Sequence, residues 1–412
     1  MSTQLPQVSR EPAPQVWAIA GWVILFKAVL LGALGLLLGS YGNYDTFGNV
    51  EVRWPEKGVP VFESHFAAWD GAHYLRLATG GYRAGISSCA FYPAWPMLIR
   101  WVSAWVTHPL AVAMVLGNLF SALATAVFVR TTWTRFGART ARWSAAALLC
   151  QPGALFFHVP YSESLFLLVL MLLWNGIERD RFTQAALAAF LLPLVRGVGL
   201  FILIPLAWNL LREQAPQSGI RLWDRFTPRI AHWRSILGPA STRRLLLGQP
   251  HAWLILLMPI VGWTVYLGFM AVTTGNPWEG IEAQKYWGHR HSMGNLIHLP
   301  KFILEYFNPT AVHEFAGSVL DRLLFIPVIA TAWWSWHRNR DLFPWILCLG
   351  VLPAMSGSFT SFTRFVAVAF PCAIAHGVLL TRTRSWGLFL LVLGAVIQGL
   401  LLWRFANFEW AG

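Results

Sequence analysis

The chain has 412 residues, 56% of them hydrophobic and 12% charged, with 24 Trp and a net charge of +13. Soluble domains are roughly 25% charged, so half that density in repeated apolar runs excludes a water-soluble fold and implies an integral membrane protein. The basic excess sits in short segments between those runs, which membrane topology explains and which argues against a nucleic-acid partner.

In chain order, residues 1–15 are polar and read as a cytoplasmic tail. Val16–Gly39 is apolar for about 24 residues. That is too long for a signal-peptide core and long enough to span a bilayer, so it reads as an uncleaved anchor. The expected spans are 16–39, 109–132, 142–159, 162–178, 182–195, 197–212, 252–273, 319–337, 342–357, 363–380 and 386–404, eleven in all. Segment 90–107 is apolar but interrupted by Pro and Trp, and either spans the bilayer or lies in its interface. The short pair 182–195 and 197–212 reads as half-helices meeting near Arg196–Gly199. The expectation is an all-α polytopic bundle forming one domain over 16–412.

Basic clusters fall at Arg135/Arg139/Arg142, Arg179/Arg181, the 213–250 loop, Arg338/Arg340 and Arg382/Arg384. If the spans alternate, all lie on one side, which the positive-inside rule makes cytoplasmic. The opposite side receives loop 40–92, the turn at 160–162, loop 274–318 and the turn at 358–363. The residues able to do chemistry gather in those four places.

Asp70 lies between Trp69 and Gly71 at the membrane edge. Desolvation there raises a carboxyl pKa and suits a general base; the same residue also suits a turn or a helix N-cap. His73, three residues on, is placed to orient that carboxylate, to touch a phosphate, or to make an ordinary interfacial hydrogen bond. Glu163 opens an apolar run, where a carboxylate is costly unless paired, although acids also suit helix N-termini. Arg196 interrupts an apolar stretch beside Gly197 and Gly199, as in a broken helix lining a cavity, or as a snorkelling anchor. The loop 273–295 carries Gln284, Trp287 and Arg290, a set that suits sugar hydroxyls and phosphate, or anchors a solvated loop. Arg364 closes "MSGSFTSFTR" at the external end of a span, fit for a lipid-linked phosphate or for a flanking anchor. The four cysteines (Cys89, Cys150, Cys348, Cys372) form no CxxC pair and no zinc spacing. No phosphate loop, dinucleotide fingerprint or DxD pair occurs.

Six tracts in order resemble the PIG-V family of GT-C glycosyltransferases: "FAAWDGAHYLRLATGGY", "CAFYPAWPMLIR", "VPYSESLFLLVLML", "LVRGVGLFILIPL", "TGNPWEGIEAQKYWG" and "SGSFTSFTRFVAVAFP". The resemblance covers most of 62–371 and is nearest to the bacterial members. It implies a GT-C-like helix bundle with a catalytic first external loop. The implied reaction moves a sugar, mannose by family, from a polyprenyl-phosphate donor to an acceptor hydroxyl with inversion. Asp70 takes the position of the family's catalytic acid and Glu163 shares the acid–base role or holds hydroxyls. Arg364, with Arg196, Arg290 and His73, is implied at the donor phosphate, and Gln284 and Trp287 at the sugar. No cofactor is implied; metal dependence stays open, since the acid is single. The implied partners are the polyprenyl-phosphate sugar, membrane lipid and a glycan, lipid or protein acceptor. The implied place is a bacterial inner membrane with the site facing outward, or the lumenal face of the ER in a eukaryote. Two other classes compete: a transporter or flippase for a lipid-linked or anionic solute, which wants its ionisable groups at the midplane, and a non-catalytic membrane scaffold.

Overall fold

The computed structural model describes residues 15–44, 52–55, 59–213, 250–288 and 292–412. The expected tail at 1–14, most of the basic 213–250 loop and Arg290 lie outside the described residues. The described residues are overwhelmingly helical. They hold no named strand, only isolated bridges at Arg53–Ala68 and Ala311–Ser318.

Among them, four helices are long and apolar enough to cross a membrane: α1 (Val16–Tyr41), α4 (Pro109–Phe136), α9 (Pro250–Thr274) and α15 (Arg384–Ala406). Each exceeds the roughly 20 residues that a hydrocarbon core demands, and the chain is an integral membrane protein. Between α1 and α4 lie two short helices, α2 (Asp70–Gly80) and α3 (Ala94–Ser103). After α4 come α5 (Ala138–Cys150), α6 (Glu163–Glu178), α7 (Phe182–Val195) and α8 (Leu203–Glu213). After α9 come α10 (Leu299–Phe307), α11 (Val319–Arg338), α12 (Leu352–Gly357), α13 (Phe362–Ala367) and α14 (Phe370–Arg382).

The expected count of about eleven spans is not confirmed, and several of the expected runs are interrupted for local reasons. The run 142–159 stops at Cys150, because Pro152 opens a 3-10 segment, Pro152–Phe157. The run 342–357 is a one-turn helix, a π-helical stretch Leu347–Val351 and then α12. The run 363–380 breaks between α13 and α14 ahead of Pro371. Proline removes a backbone donor and clashes with the preceding turn, so apolarity alone does not keep these runs continuous.

The break expected near Arg196 is present. Arg196 is extended (φ −155°, ψ 146°) between α7 and a 3-10 segment, Gly197–Ile202. A Cβ on Gly199 would strike the backbone carbonyl of Leu192, and one on Gly197 would force the Tyr92 hydroxyl to shift.

The largest core cluster lies among α4, α6, α7 and α14, with Trp174 and Phe370 rings 4.7 Å apart at its centre. At one end of the bundle Arg135 of α4 pairs with Glu178 of α6 and, at 2.7 Å, with Asp341. The N-terminal ends of α2, α6 and α13 meet at the other end.

Candidate active site

Trp69 decides where Asp70 points. Its backbone is left-handed (φ 55°, ψ −128°), a conformation of order 1–3 kcal/mol uphill for a bulky residue. The surroundings impose it. The Trp69 N–H donates to the Val52 carbonyl at 2.5 Å, and the indole N–H to the Glu409 carbonyl at 3.1 Å. Asp70 is thus the first residue of α2, not its cap, and its side chain makes no capping bond. The Asp70 N–H donates to the Tyr161 hydroxyl at 3.1 Å, which leaves the carboxylate free to reach across the site.

It reaches Arg364. The Nη1 of Arg364 pairs with Asp70, and its Nε donates to Glu163 Oε1 at 2.9 Å. Arg196 pairs with the same Glu163 oxygen. The result is a linear chain, Asp70–Arg364–Glu163–Arg196, with two negative and two positive members. Aromatic faces hold both cations: Arg364 lies over Tyr161 (4.8 Å) and Phe156 (5.6 Å), and Arg196 over Phe365 (4.9 Å).

Arg364 is itself set by a second acid. Asp321, at the start of α11 and 0% exposed, accepts from both the N–H and the hydroxyl of Thr363 at 2.6 Å. Ser358, Phe359 and Ser361 just before it are left-handed. Asp321 carries the same sequence signal as Glu163, an acid opening an apolar run, and that signal could have found it.

Asp70, Arg364 and Arg196 face a cavity of about 610 Å³. Gln284, Trp287, Tyr92, Trp263, Ser361 and Trp410 are also on its wall. Gln284 and Trp287 lie on one 3-10 segment, Ala283–Trp287, pinned where the Trp287 indole donates to the Ser87 carbonyl at 3.2 Å. Trp410 packs edge-on against Trp69 (5.2 Å) and Phe315 (5.1 Å). Nothing in the sequence around Trp410 marks it, because its role comes only from α15 returning residues 407–412 to the Asp70 loop.

Two expected site residues sit elsewhere. Glu163 is 0% exposed, pairs with Arg196 and Arg364, and is not on the cavity wall. His73 turns away too. Its ring bonds Ser88 Oγ at 2.7 Å, stacks on Phe91 at 5.1 Å and meets the Trp287 edge at 5.1 Å. Burial, then the nearby Arg76 charge, pushes His73 down to about 3, so it is a neutral imidazole and no cation for a phosphate. Burial pushes the Asp70 carboxyl above its ordinary 3.8, against the pull of Arg364 and with the Glu163 charge adding to it.

The arrangement offers a partly desolvated carboxylate, two guanidiniums beside it and hydrogen-bonding and aromatic groups around a cavity of small-molecule size. Among the described residues no group of three His, Cys, Asp or Glu gathers as a metal site needs.

One comparison with known proteins, that with protein families, agrees with the resemblance over part of the chain. The family described as Mannosyltransferase (PIG-V) matches residues 59–211. No curated protein matches. The Archaeoglobus fulgidus oligosaccharyltransferase, solved with zinc and sulfate, is 12% identical at a TM-score of 0.48, covering 94% of this chain and 53% of its own. ArnT from Cupriavidus metallidurans, solved with undecaprenyl phosphate, is 16% identical at 0.48, covering 92% and 63%. Archaeal AglB with an inhibitory peptide and a dolichol-phosphate is 12% identical at 0.46, covering 95% and 56%. This chain thus spans 53% to 63% of the length of those structures. Over residues 59–211, the stretch that supplies Asp70, Glu163 and Arg196, the chain carries the sequence pattern of the PIG-V mannosyltransferase family.

Proposed function

We propose that the chain is a membrane glycosyltransferase that moves a sugar, mannose by family, from a polyprenyl-phosphate donor to an acceptor hydroxyl. The observation that carries this reading is Arg364 on the cavity wall, shared between the carboxylates of Asp70 and Glu163 and backed by Arg196. A leaving phosphate needs fixed cations, and an attacking hydroxyl needs a base a few ångströms away.

In the proposed reaction the acceptor hydroxyl gives its proton to Asp70 as its oxygen bonds the anomeric carbon. The bond from that carbon to the phosphate oxygen breaks on the opposite face, which inverts the centre. The electron pair leaves with the polyprenyl phosphate, whose charge Arg364 and Arg196 offset. Gln284, Trp287 and Ser361 hold the sugar. Arg290 remains part of the proposal from sequence alone. The apolar wall at Val198, Leu200, Phe201 and Trp263 lies at the Arg196 end, so the lipid is taken to leave there and the acceptor to enter at the Asp70 end. The site is assigned to the non-cytoplasmic face, in a bacterial inner membrane, because the arginine clusters in the sequence fall on the other side.

The test is purified protein in lipid with radiolabelled polyprenyl-phosphate mannose, wild type beside Asp70→Asn. Slow release of free mannose by the wild type alone, with water as acceptor, is the expected result. Binding of the donor without release by either protein would favour a lipid-linked-solute carrier. No binding of any polyprenyl-phosphate sugar would end the glycosyltransferase reading.

A further inference from the structure

Arg364 is engaged by groups of the protein itself. Its Nη1 pairs with Asp70 and its Nε donates to Glu163. The reading above requires that guanidinium to receive a phosphate, and requires Asp70 to be a free carboxylate able to take a proton. Both cannot hold while the Asp70–Arg364 pair stands.

The two carboxylates differ in access. Glu163 is 0% exposed and off the cavity wall, so no ligand in the cavity can take its place. Asp70 is on that wall at 9% exposure. Arg364 also keeps one terminal nitrogen, Nη2, with no partner among the described residues. The guanidinium is therefore anchored on its buried side by Glu163 and by the rings of Tyr161 and Phe156, and exchangeable on its cavity side.

We propose that Asp70 and the donor phosphate compete for Arg364, so that binding of the donor is what frees Asp70 to act as base. The proposal rests on the glycosyltransferase reading and adds an order to it: donor first, then a competent base, then the acceptor. Without donor, an acceptor finds Asp70 neutralised. A ligand that must displace an internal partner binds more weakly in proportion to the fraction of time the site is open. Removing one member of a buried pair leaves the other charge uncompensated, and an incoming anion can then compensate it. Loss of the proposed base should accordingly strengthen binding of the leaving group.

The experiment is titration of undecaprenyl phosphate into the full chain in lipid nanodiscs. Asp70→Asn is expected to bind about tenfold tighter than wild type, or about 1.4 kcal/mol. Glu163→Gln is expected to bind no tighter, because it removes the anchor and not the competitor. If both variants tighten alike, the effect is general charge and the competition is overturned. If Asp70→Asn binds as wild type or more weakly, it is overturned as well. Should Asp70→Asn fail to fold, Asp70→Ser removes the same charge and carries the same expectation. Arg364→Gln separates this proposal from the reading beneath it. Weakened binding there keeps the phosphate seat whatever Asp70→Asn does, and binding indifferent to Arg364 ends both.

Discussion

Two of the buried polar clusters among the described residues make a contrast, and only one of the two looks like a site. The first is the chain Asp70–Arg364–Glu163–Arg196 on the cavity. The second is centred on Lys27 of α1, 1% exposed, whose Nζ donates to the Phe157 carbonyl at 2.8 Å and lies 3.3 Å from His158 Nδ1 and 3.4 Å from Asn118 Oδ1. His158 in turn meets Gln398 of α15 at 3.3 Å. Both put costly groups inside apolar helices. The Lys27 cluster uses its donor on a backbone carbonyl that Ser121 also serves, at 3.2 Å, and none of its members is on the cavity wall. The first cluster keeps unspent valence beside the cavity: Arg364, on the cavity wall, has its Nη2 without a partner among the described residues. Burial of ionisable groups is therefore not the mark of a site here; groups left unpaired beside an open volume are.

That contrast can be broken most sharply at its two centres. Asp70→Asn should cut sugar release by about a thousandfold, the scale of a lost general base, with little change in thermal midpoint. If release persists, the first cluster is structural like the second. Next in size, Arg364→Gln should weaken undecaprenyl phosphate binding by about 10–100-fold, the worth of a charge-assisted hydrogen bond to phosphate. An unchanged affinity would move the phosphate away from this cluster.

A subtler test is pH. Asp70 must be ionised to act, and burial raises its pKa above 3.8, so activity should fall with acid earlier than an ordinary aspartate would dictate. A phosphate taking over Arg364 removes the pull that lowers this pKa, so the acid limb of kcat should lie above that of kcat/KM. Coincident limbs would count against the competition for Arg364. The stability sign is opposite. A raised carboxyl pKa favours the protonated folded form, so stability is lost as pH rises through it, a pH dependence that Asp70→Asn should remove. The smallest expected effect is Lys27→Met. Sugar release should be unchanged and the thermal midpoint unchanged or higher, since an apolar side chain of similar length replaces a buried charge. A loss of release comparable to Asp70→Asn would place the second cluster in the mechanism.

Much of the site was legible in the sequence because its cost is local. Asp70, Glu163, Arg196 and Arg364 each stood out as ionisable groups in or beside apolar runs, and all four meet. Asp321 carried the same mark and was passed over, since no partner for it lies nearby in sequence. For Glu163 and His73 the sequence left alternatives open: an acid at a helix start looks the same whether it faces a cavity or pairs with two arginines, as Glu163 does, and His73 bonds Ser88.

What the sequence by itself determined is the class of protein and one of the places, Arg196, where its helices break. Composition excludes solution, and Arg196 beside Gly197 and Gly199 marks a break, whereas proline alone does not: Pro152 interrupts its run but Pro193, Pro259 and Pro327 lie inside continuous helices. Only the tertiary structure decided which charges meet. Arg364 bonds partners 294 and 201 positions away, Asp70 and Glu163. Trp69 is held by Glu409, 340 positions on. Composition and periodicity act over a few turns of chain, whereas these contacts are chosen by how helices pack, and no local pattern encodes a distance across the bundle.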